Sequence, residues 1–314
     1  MLPPLLFAPL YRRYLWGGRR FATTLGRDLP PGDDYAESWE LVDRGADQSV
    51  VRVGPLAGAT LHSLVRERGR EIFGDRVLPP PQAFPLLFKF LDARLELSVQ
   101  VHPDDARAAR LVPPDRGKTE AWYVVDAAPG ARIWGGTTTG TDAAAFAAAL
   151  RAGRVADVLH CFAPRPGDCV FIPAGTVHAI GAGLLVAEIQ QSSDVTYRLH
   201  DWGRVGADGR PRVLHVDAGL EAVTRFGPVA PATPSSRCSR AMSASPTTST
   251  CHPSRADHAP SCRRRPACRR YASNRPMVSH LCCSTWRCPK RVTTDPGWIL
   301  RALRSATPNP TEQG

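Results

Sequence analysis

The stretch "GDCVFIPAGTVH", residues 167–178, reads as a short strand that runs into a Pro-Ala-Gly turn and presents a histidine. Val170, Phe171 and Ile172 are the β-branched and aromatic types that suit a pleated, half-buried surface. Pro173 and Gly175 then punctuate the strand, and His178 follows the turn. A second stretch, "LSVQVHPDD" at 97–105, has the same character. Period-2 alternation puts Leu97, Val99 and Val101 on one face and Ser98, Gln100 and His102 on the other, and Pro103 ends the strand. The fold turns on whether Gln100, His102 and His178 face water or a second, working interior.

Outward from these two stretches the first 234 residues carry regular punctuation. "SVVRVGPLAG" reads as a strand and turn, and "FPLLFKFLDARLELSVQV" as strand, turn and strand. "EAWYVVDA" is another strand, and "GLLVAEIQQSSDVTYRLHDWG" alternates through two more. Two helices stand out. "ATLHSLVRERGREIFG" has Leu61, Leu64 and Val65 at helical spacing and closes on Gly74, while "TDAAAFAAALRAG" has a Thr/Asp start and a Gly stop. Many short strands with few helices predict a mainly β protein, an antiparallel barrel or sandwich.

At 314 residues the chain can bury a substantial core, and its hydrophobic share of 43% is ordinary for a soluble globular protein. No apolar run approaches the roughly 20 residues of a membrane span. "MLPPLLFAPL" is apolar but proline-broken, with no basic residue ahead of it, so it reads as part of the fold rather than a signal peptide. A cytoplasmic location with no membrane partner follows as the expectation.

The formal net charge of +11 would suggest a nucleic-acid partner, but its distribution argues otherwise. Residues 235–314 carry 14 Lys+Arg against 3 Asp+Glu, so the first 234 residues, with 26 of each, are neutral. Seven of the nine cysteines also lie in that last segment. Their spacings, such as Cys262-x5-Cys268 and the adjacent Cys282-Cys283, do not make zinc-module pairs, and a disulfide framework conflicts with a reducing compartment. A basic, disordered nucleic-acid tail is an open alternative. The preferred reading divides the chain at 230: residues 1–230 are a folded region, and 231–314 are a basic Cys/Arg/Ser/Pro-rich tail, disordered or translated out of frame.

The chemistry sits in four stretches that are polar where a plain barrel need not be. Gln100 and His102 share a strand face, as do Lys118, Glu120 and Trp122 in "GKTEAWYVV". The Pro-Ala-Gly turn presents His178, and Asp194 shares strand parity with Arg198 in "AEIQQSSDVTYRLHDWGR". Two histidines, a glutamate and a neutral amide form a complete donor set for a borderline ion such as Zn²⁺, with a position left for water or substrate. Taken singly, each histidine is more often a hydrogen-bonded structural residue; the joint pattern shifts the balance. His160 and Cys161 are read as structural, His200 as a hydrogen-bonding residue of the fold, and Cys169 and His215 as packing or surface residues, and "GGTTTGT" lacks the lysine and helix start of a phosphate loop.

These residues carry a resemblance. "GDCVFIPAGTVH" fits the second cupin motif, G-x5-P-x-G-x2-H, with Gly167, Pro173, Gly175 and His178 in register. Together with "FPLLFKFLDARLELSVQVHPDD", "GKTEAWYVVDA", "YLWGG", "ESWEL" and "SVVRVGPLAG", it resembles the type I mannose-6-phosphate isomerases, zinc-dependent cupins, from about Pro9 to about Phe226. The resemblance implies a cupin (jelly-roll) barrel with a few helices, and a second cupin half where the aberrant tail stands. The implied activity is a zinc-dependent aldose–ketose isomerase, interconverting mannose 6-phosphate and fructose 6-phosphate. The alternative is an impaired or non-catalytic metal-binding cupin that binds a sugar phosphate.

Carried over residue by residue, the resemblance implies that Gln100, His102, Glu120 and His178 bind one Zn²⁺. Arg198, Lys118 and Asp194 are the implied catalytic residues, and Lys89, Lys118 and Arg198 surround the sugar phosphate. Lys118 is the leading acid–base candidate, since strand parity places it beside Glu120. The partner expected is a small sugar phosphate, not nucleic acid, acting on a monomer. Every implied ligand precedes residue 235, so removing 235–314 is expected to leave metal binding intact; metal content of the truncated and full chains checks this.

Overall fold

The computed structural model describes residues 2–75, 82–206 and 209–232. The expected tail, from 233 onward, lies outside the described residues. In chain order the strands are β1 (Leu10–Gly18), β2 (Tyr35–Leu41), β3 (Asp43–Arg44), β4 (Asp47–Gln48), β5 (Leu86–Ala93), β6 (Val99–Val101) and β7 (Glu120–Ala127). They continue with β8 (Ile133–Thr137), β9 (Leu159–Phe162), β10 (Cys169–Ile172), β11 (His178–Ile180), β12 (Leu184–Gln191) and β13 (Tyr197–His200). The helices are α1 (Arg20–Thr23), α2 (Leu61–Phe73), α3 (Asp105–Ala108), α4 (Ala143–Arg151) and α5 (Val216–Ala222).

Two antiparallel sheets face each other. One has the order β1-β2-β5-β12-β7-β10 and the other β13-β6-β11-β8-β9, with β3-β4 as a small separate hairpin. This is the expected mainly β, jelly-roll architecture. Between the sheets an apolar cluster joins Trp122, Val124, Leu91, Leu184, Val186, Val170 and Ile172 of the larger sheet to Ile133 and Ile180 of the smaller. Outside the smaller sheet, Val99, Val101, Val177 and Ala179 pack under Phe146 and Leu150 of α4. Outside the larger sheet, Phe21 of α1 and Leu29 cover Phe90 and Leu185. The central strands therefore bury both of their faces, one against the opposite sheet and one against a helix or loop layer, while β1 and β10 at the edges of the larger sheet leave Tyr14, Leu15 and Phe171 exposed.

The helices form as the sequence predicts. The Thr60 hydroxyl accepts from the Ser63 amide and starts α2, which ends at Gly74 with a φ of 67°. Asp142 caps α4 by accepting from the Ala145 amide. Two local expectations are corrected. "SVVRVGPLAG" is not a strand: Val50 and Val51 form isolated bridges to Thr60 and Phe7, because this segment ties down the N-terminal residues instead of joining a sheet. Leu97 does not share a face with Val99 and Val101. Strand β6 begins only at Val99, and Leu97 packs into the core between the sheets.

The turn between β10 and β11 sets the position of His178. Its Gly175 has a φ of 83°, and a Cβ there would overlap Thr224 Oγ1. The same residue's amide donates to the His102 carbonyl at 2.8 Å, so the turn is pinned to the end of β6. Gly140 has a similar φ of 87° but open space around it. Gly175→Ala is expected to cost about 2–4 kcal/mol and Gly140→Ala about 1 kcal/mol, measured by urea denaturation.

Candidate metal centre

Four polar side chains converge at one end of the space between the sheets. Gln100 is the middle residue of β6, and His102 follows one residue beyond that strand's end. Glu120 opens β7 and His178 opens β11. The pairing brings His178 directly opposite Gln100. Donor atoms of His102, Glu120 and His178 all lie within 4.8 Å of one another, and all three residues are buried. His102 Nε2 is 3.1 Å from Glu120 Oε1, and His178 Nε2 is 3.6 Å from Glu120 Oε2. Gln100 Nε2 lies 3.2 Å from His178 Nε2, and a half-turn of the amide would point its oxygen there instead.

Both imidazoles are anchored on the side away from this cluster. His102 Nδ1 donates to the Val195 carbonyl and His178 Nδ1 to the Thr176 carbonyl, each at 2.9 Å. With Nδ1 carrying the proton, each Nε2 keeps its lone pair and aims it at the cluster. His102 Nε2 and Glu120 Oε2 are buried without a hydrogen-bond partner. Buried polar atoms left unpaired cost free energy, so two aimed into one spot mark a place for a group the protein itself does not supply. Two imidazole nitrogens, a carboxylate and an amide oxygen are the donors of a divalent metal site. The residues fit such an ion.

The electrostatics agree. Burial pushes the His102 imidazole down to about 3, and the nearby Lys118 ammonium adds to the effect. His178 is lowered as well, mainly by burial. Burial alone would raise the Glu120 carboxyl, but Lys118 and the two imidazoles outweigh it and hold it well below the usual carboxylate range. The site is thus held ready as two neutral imidazoles and one carboxylate.

Lys118 lies beside Glu120 as expected, though it precedes β7 and is not placed by strand parity; its Nζ is 3.0 Å from Glu120 Oε1 and its side chain is buried. Gly117 brings it there: its amide bonds to the Asp105 carboxylate, and a Cβ at Gly117 would strike the backbone of Asp104 and Asp105. Lys89 lies in a neighbouring row. Its ammonium is held 3.3 Å from Glu37 Oε2 and 3.4 Å from Glu188 Oε1, and it is buried with them. Arg198 stands on β13 opposite Gln100, with Nη1 bonded to the Val213 carbonyl. Asp194 is not brought into the cluster. Strand β12 ends at Gln191 and β13 begins at Tyr197, so no strand parity links Asp194 to Arg198. Its carboxylate is largely exposed and lies 3.8 Å from Arg44 Nε.

Sequence reasoning missed Glu188 and Glu37. Glu188 accepts from Trp122 Nε1 at 3.1 Å, and Glu37 from Trp39 Nε1 at 2.6 Å. Burial and the Glu120 charge push the Glu188 carboxyl up to about 7, against the pull of Lys89. The signal was present in "LLVAEIQQ". Leu184, Val186, Glu188 and Gln190 are all buried at alternate positions, a face that begins apolar and turns polar. His215, read as a packing or surface residue, accepts from the Arg198 amide at 3.2 Å.

Known proteins share this arrangement of sheets and sequence. A profile of the type I phosphomannose isomerase catalytic domain matches residues 5–123, which include Gln100, His102, Lys118 and Glu120. A Bacillus subtilis protein named probable mannose-6-phosphate isomerase GmuF is 38% identical over 224 residues, 71% of this chain and 69% of that one. The chain belongs to the type I phosphomannose isomerase family. Within that family, the mannose-6-phosphate isomerase of Streptococcus mutans is 38% identical over 234 residues, 74% of this chain and 72% of its own length. The crystal structure of the Bacillus subtilis mannose 6-phosphate isomerase superposes with a TM-score of 0.66 at 33% identity, covering 73% of this chain and 71% of that one. A zinc-bound mannose 6-phosphate isomerase, 16% identical, shares the fold with a TM-score of 0.53 over 71% of this chain and 75% of its own. No helix among the described residues is long and apolar enough to cross a membrane.

The depressed imidazoles make stability depend on pH. In the unfolded chain His102 and His178 take up protons near their ordinary value of 6.5, while in the folded chain they resist it. Their contribution is present above about pH 6.5 and is lost as pH falls, because the unfolded state then binds more protons. Glu188 works the other way: raised from 4.5 to about 7, its contribution is complete below its ordinary range and is lost as pH rises through about 7. Two groups thus favour the higher pH and one the lower. The urea midpoint of the metal-free chain is expected to fall from pH 7 to pH 5, and to fall less in His102→Gln.

Proposed function

We propose that this chain is a Zn²⁺-dependent isomerase that interconverts mannose 6-phosphate and fructose 6-phosphate at the cluster of His102, Glu120 and His178. The observation that carries this reading is the buried donor set, with His102 Nε2 and Glu120 Oε2 unpartnered and an ammonium beside it, in a chain of this family. Gln100, His102, Glu120 and His178 would hold the ion. Bound there, a divalent ion would supply Lewis-acid polarisation of the sugar's C1 and C2 oxygens.

The chain's own residues do the rest. Aldose–ketose isomerisation moves a proton between C1 and C2, so a positioned acid–base group has to carry it. Lys118 takes that role: its ammonium is buried and reaches the edge of the donor set, within 3.0 Å of Glu120. Arg198 supplies fixed, forked positive charge from the neighbouring strand, suited to the phosphate or to negative charge on the reacting oxygens. Lys89 is already held by Glu37 and Glu188, so it keeps those two carboxylates in place and acts on substrate through them. Asp194 stands in the exposed loop beside the cluster, where it can meet only the outer part of a bound sugar phosphate.

A coupled assay for fructose 6-phosphate formed from mannose 6-phosphate, run with and without chelator, tests the reading. Turnover that chelator abolishes and Zn²⁺ restores is expected; no turnover by soluble, metal-loaded chain would refute it. His178→Ala is expected to lose metal retention. Lys118→Met is expected to keep its metal and lose about 10²–10⁴ in kcat. If that variant stayed within tenfold of the wild-type rate, Lys118 would not be the group that carries the proton.

A further inference from the structure

The carbonyl that orients His102 lies outside both sheets; from β12, Gln190 Nε2 reaches only as far as the Ser193 carbonyl, at 3.0 Å. Val195 lies in the connection between β12 and β13, outside any strand, and yet its oxygen accepts the His102 Nδ1 proton at 2.9 Å. The first two amides of this connection bond to backbone, Ser192 to the Pro85 carbonyl at 2.9 Å and Ser193 to the Gln191 carbonyl at 2.8 Å, and the next two find side chains. The Asp194 amide bonds to Asp115 Oδ2 at 3.4 Å, and the Val195 amide to Ser193 Oγ at 3.3 Å. Ser193 Oγ in turn donates to the Arg116 carbonyl at 2.7 Å. The connection is therefore stapled to the loop that precedes Lys118.

One side chain ties that staple together from outside both sheets. Arg44, in the β3–β4 hairpin, grips Asp115 with two parallel bonds, Nη1 to Oδ1 at 3.0 Å and Nη2 to Oδ2 at 2.6 Å. Its Nη1 also donates to the Ser192 carbonyl at 3.2 Å, and its Nε lies 3.8 Å from the Asp194 carboxylate. A planar fork engaging a carboxylate and a carbonyl together sets direction as well as distance, which an ammonium would not do as well. The guanidinium thus reaches His102 through Asp115, residues 192–194 and the Val195 carbonyl.

The geometry points to Arg44 as a positioning residue of the metal centre: through Asp115 it holds the Val195 carbonyl where it keeps the His102 proton on Nδ1 and leaves Nε2 for the ion. This rests on the metal-site reading given above. Groups that hold a ligating histidine's second nitrogen are worth about 10–100-fold in metal affinity. A residue needed only for folding would instead act on stability and leave the imidazole of the folded chain unchanged.

The test uses Arg44→Gln, Arg44→Lys and Asp115→Asn in the full chain. The ring nitrogen shifts of His102 are read by NMR in the metal-free chain, and the Zn²⁺ dissociation constant by competition with a chromophoric chelator. His102→Ala is measured alongside. Arg44→Gln and Asp115→Asn are expected to lose the uniform Nδ1-protonated signature and to bind Zn²⁺ about 10-fold or more weakly, with Arg44→Lys between them and the wild type. Should Arg44→Gln fail to fold, Asp115→Asn opens the same staple from its other side. Wild-type nitrogen shifts and an affinity within twofold in the folded variants would overturn the assignment. If His102→Ala kept full Zn²⁺ affinity, the metal reading itself would fall, and the shifts of the metal-free chain would still decide the role of Arg44.

Discussion

A carboxylate buried to 1% exposure is the constraint around which this molecule is arranged. Glu120 cannot stay ionised there without compensation, since an isolated buried charge costs several kcal/mol even after relaxation. Lys118 provides one positive neighbour, and the two imidazoles turn their Nε2 atoms toward the same oxygens. The compensation remains incomplete, with Glu120 Oε2 and His102 Nε2 both lacking hydrogen-bond partners. An ion of charge +2 would complete it. Stability and metal binding are in this sense one property of the site.

The sandwich answers this constraint by dividing its interior. One part is apolar, around Trp122, Val124 and Ile133; the other is polar, around Glu120 and His178. Trp122 joins the two, packing in the apolar cluster while its ring meets His178 in a T-shaped contact and its Nε1 bonds Glu188. Charges at the polar end come in alternating sign: Glu37, Lys89 and Glu188 form one row, and Lys118 and Glu120 another. Alternation of this kind lets several ionisable groups stay buried together, because each is paired before it leaves water.

Much of this could be read from short stretches, and the rest could not, for a definite reason. "GDCVFIPAGTVH" and "SVQVHP" contain their own parity and their own stop signals, so they announced strands whose polar positions were out of place. The family resemblance then supplied the expected ligands, of which the structure gathers His102, Glu120 and His178 within one cluster, with Gln100 beside His178. Alternation in "LLVAEIQQ" marked the face that Glu188 lies on, but its partners needed knowledge of which strands pair, since Lys89 and Trp122 lie on β5 and β7 at either side of it. Asp194 was misplaced because alternation was carried across a break in the strand. Arg44 gave no signal at all, as its hairpin lies outside both sheets and meets the site only through loops.

The pairing of His178 with Gln100 has a consequence for how the chain reaches this state. Strand β6 is only three residues long, with valines that face the helices and a glutamine that faces the opposite sheet. A slip of one residue would drive Gln100 under Phe146 and Leu150 and turn Val99 and Val101 toward the ion pairs. Both faces would then be wrong at once, and no polar group so displaced would find a partner. The centre therefore also works as an alignment mark. A misregistered chain is one that cannot assemble its donor atoms, so holding the ion certifies that the two sheets have met in the right way.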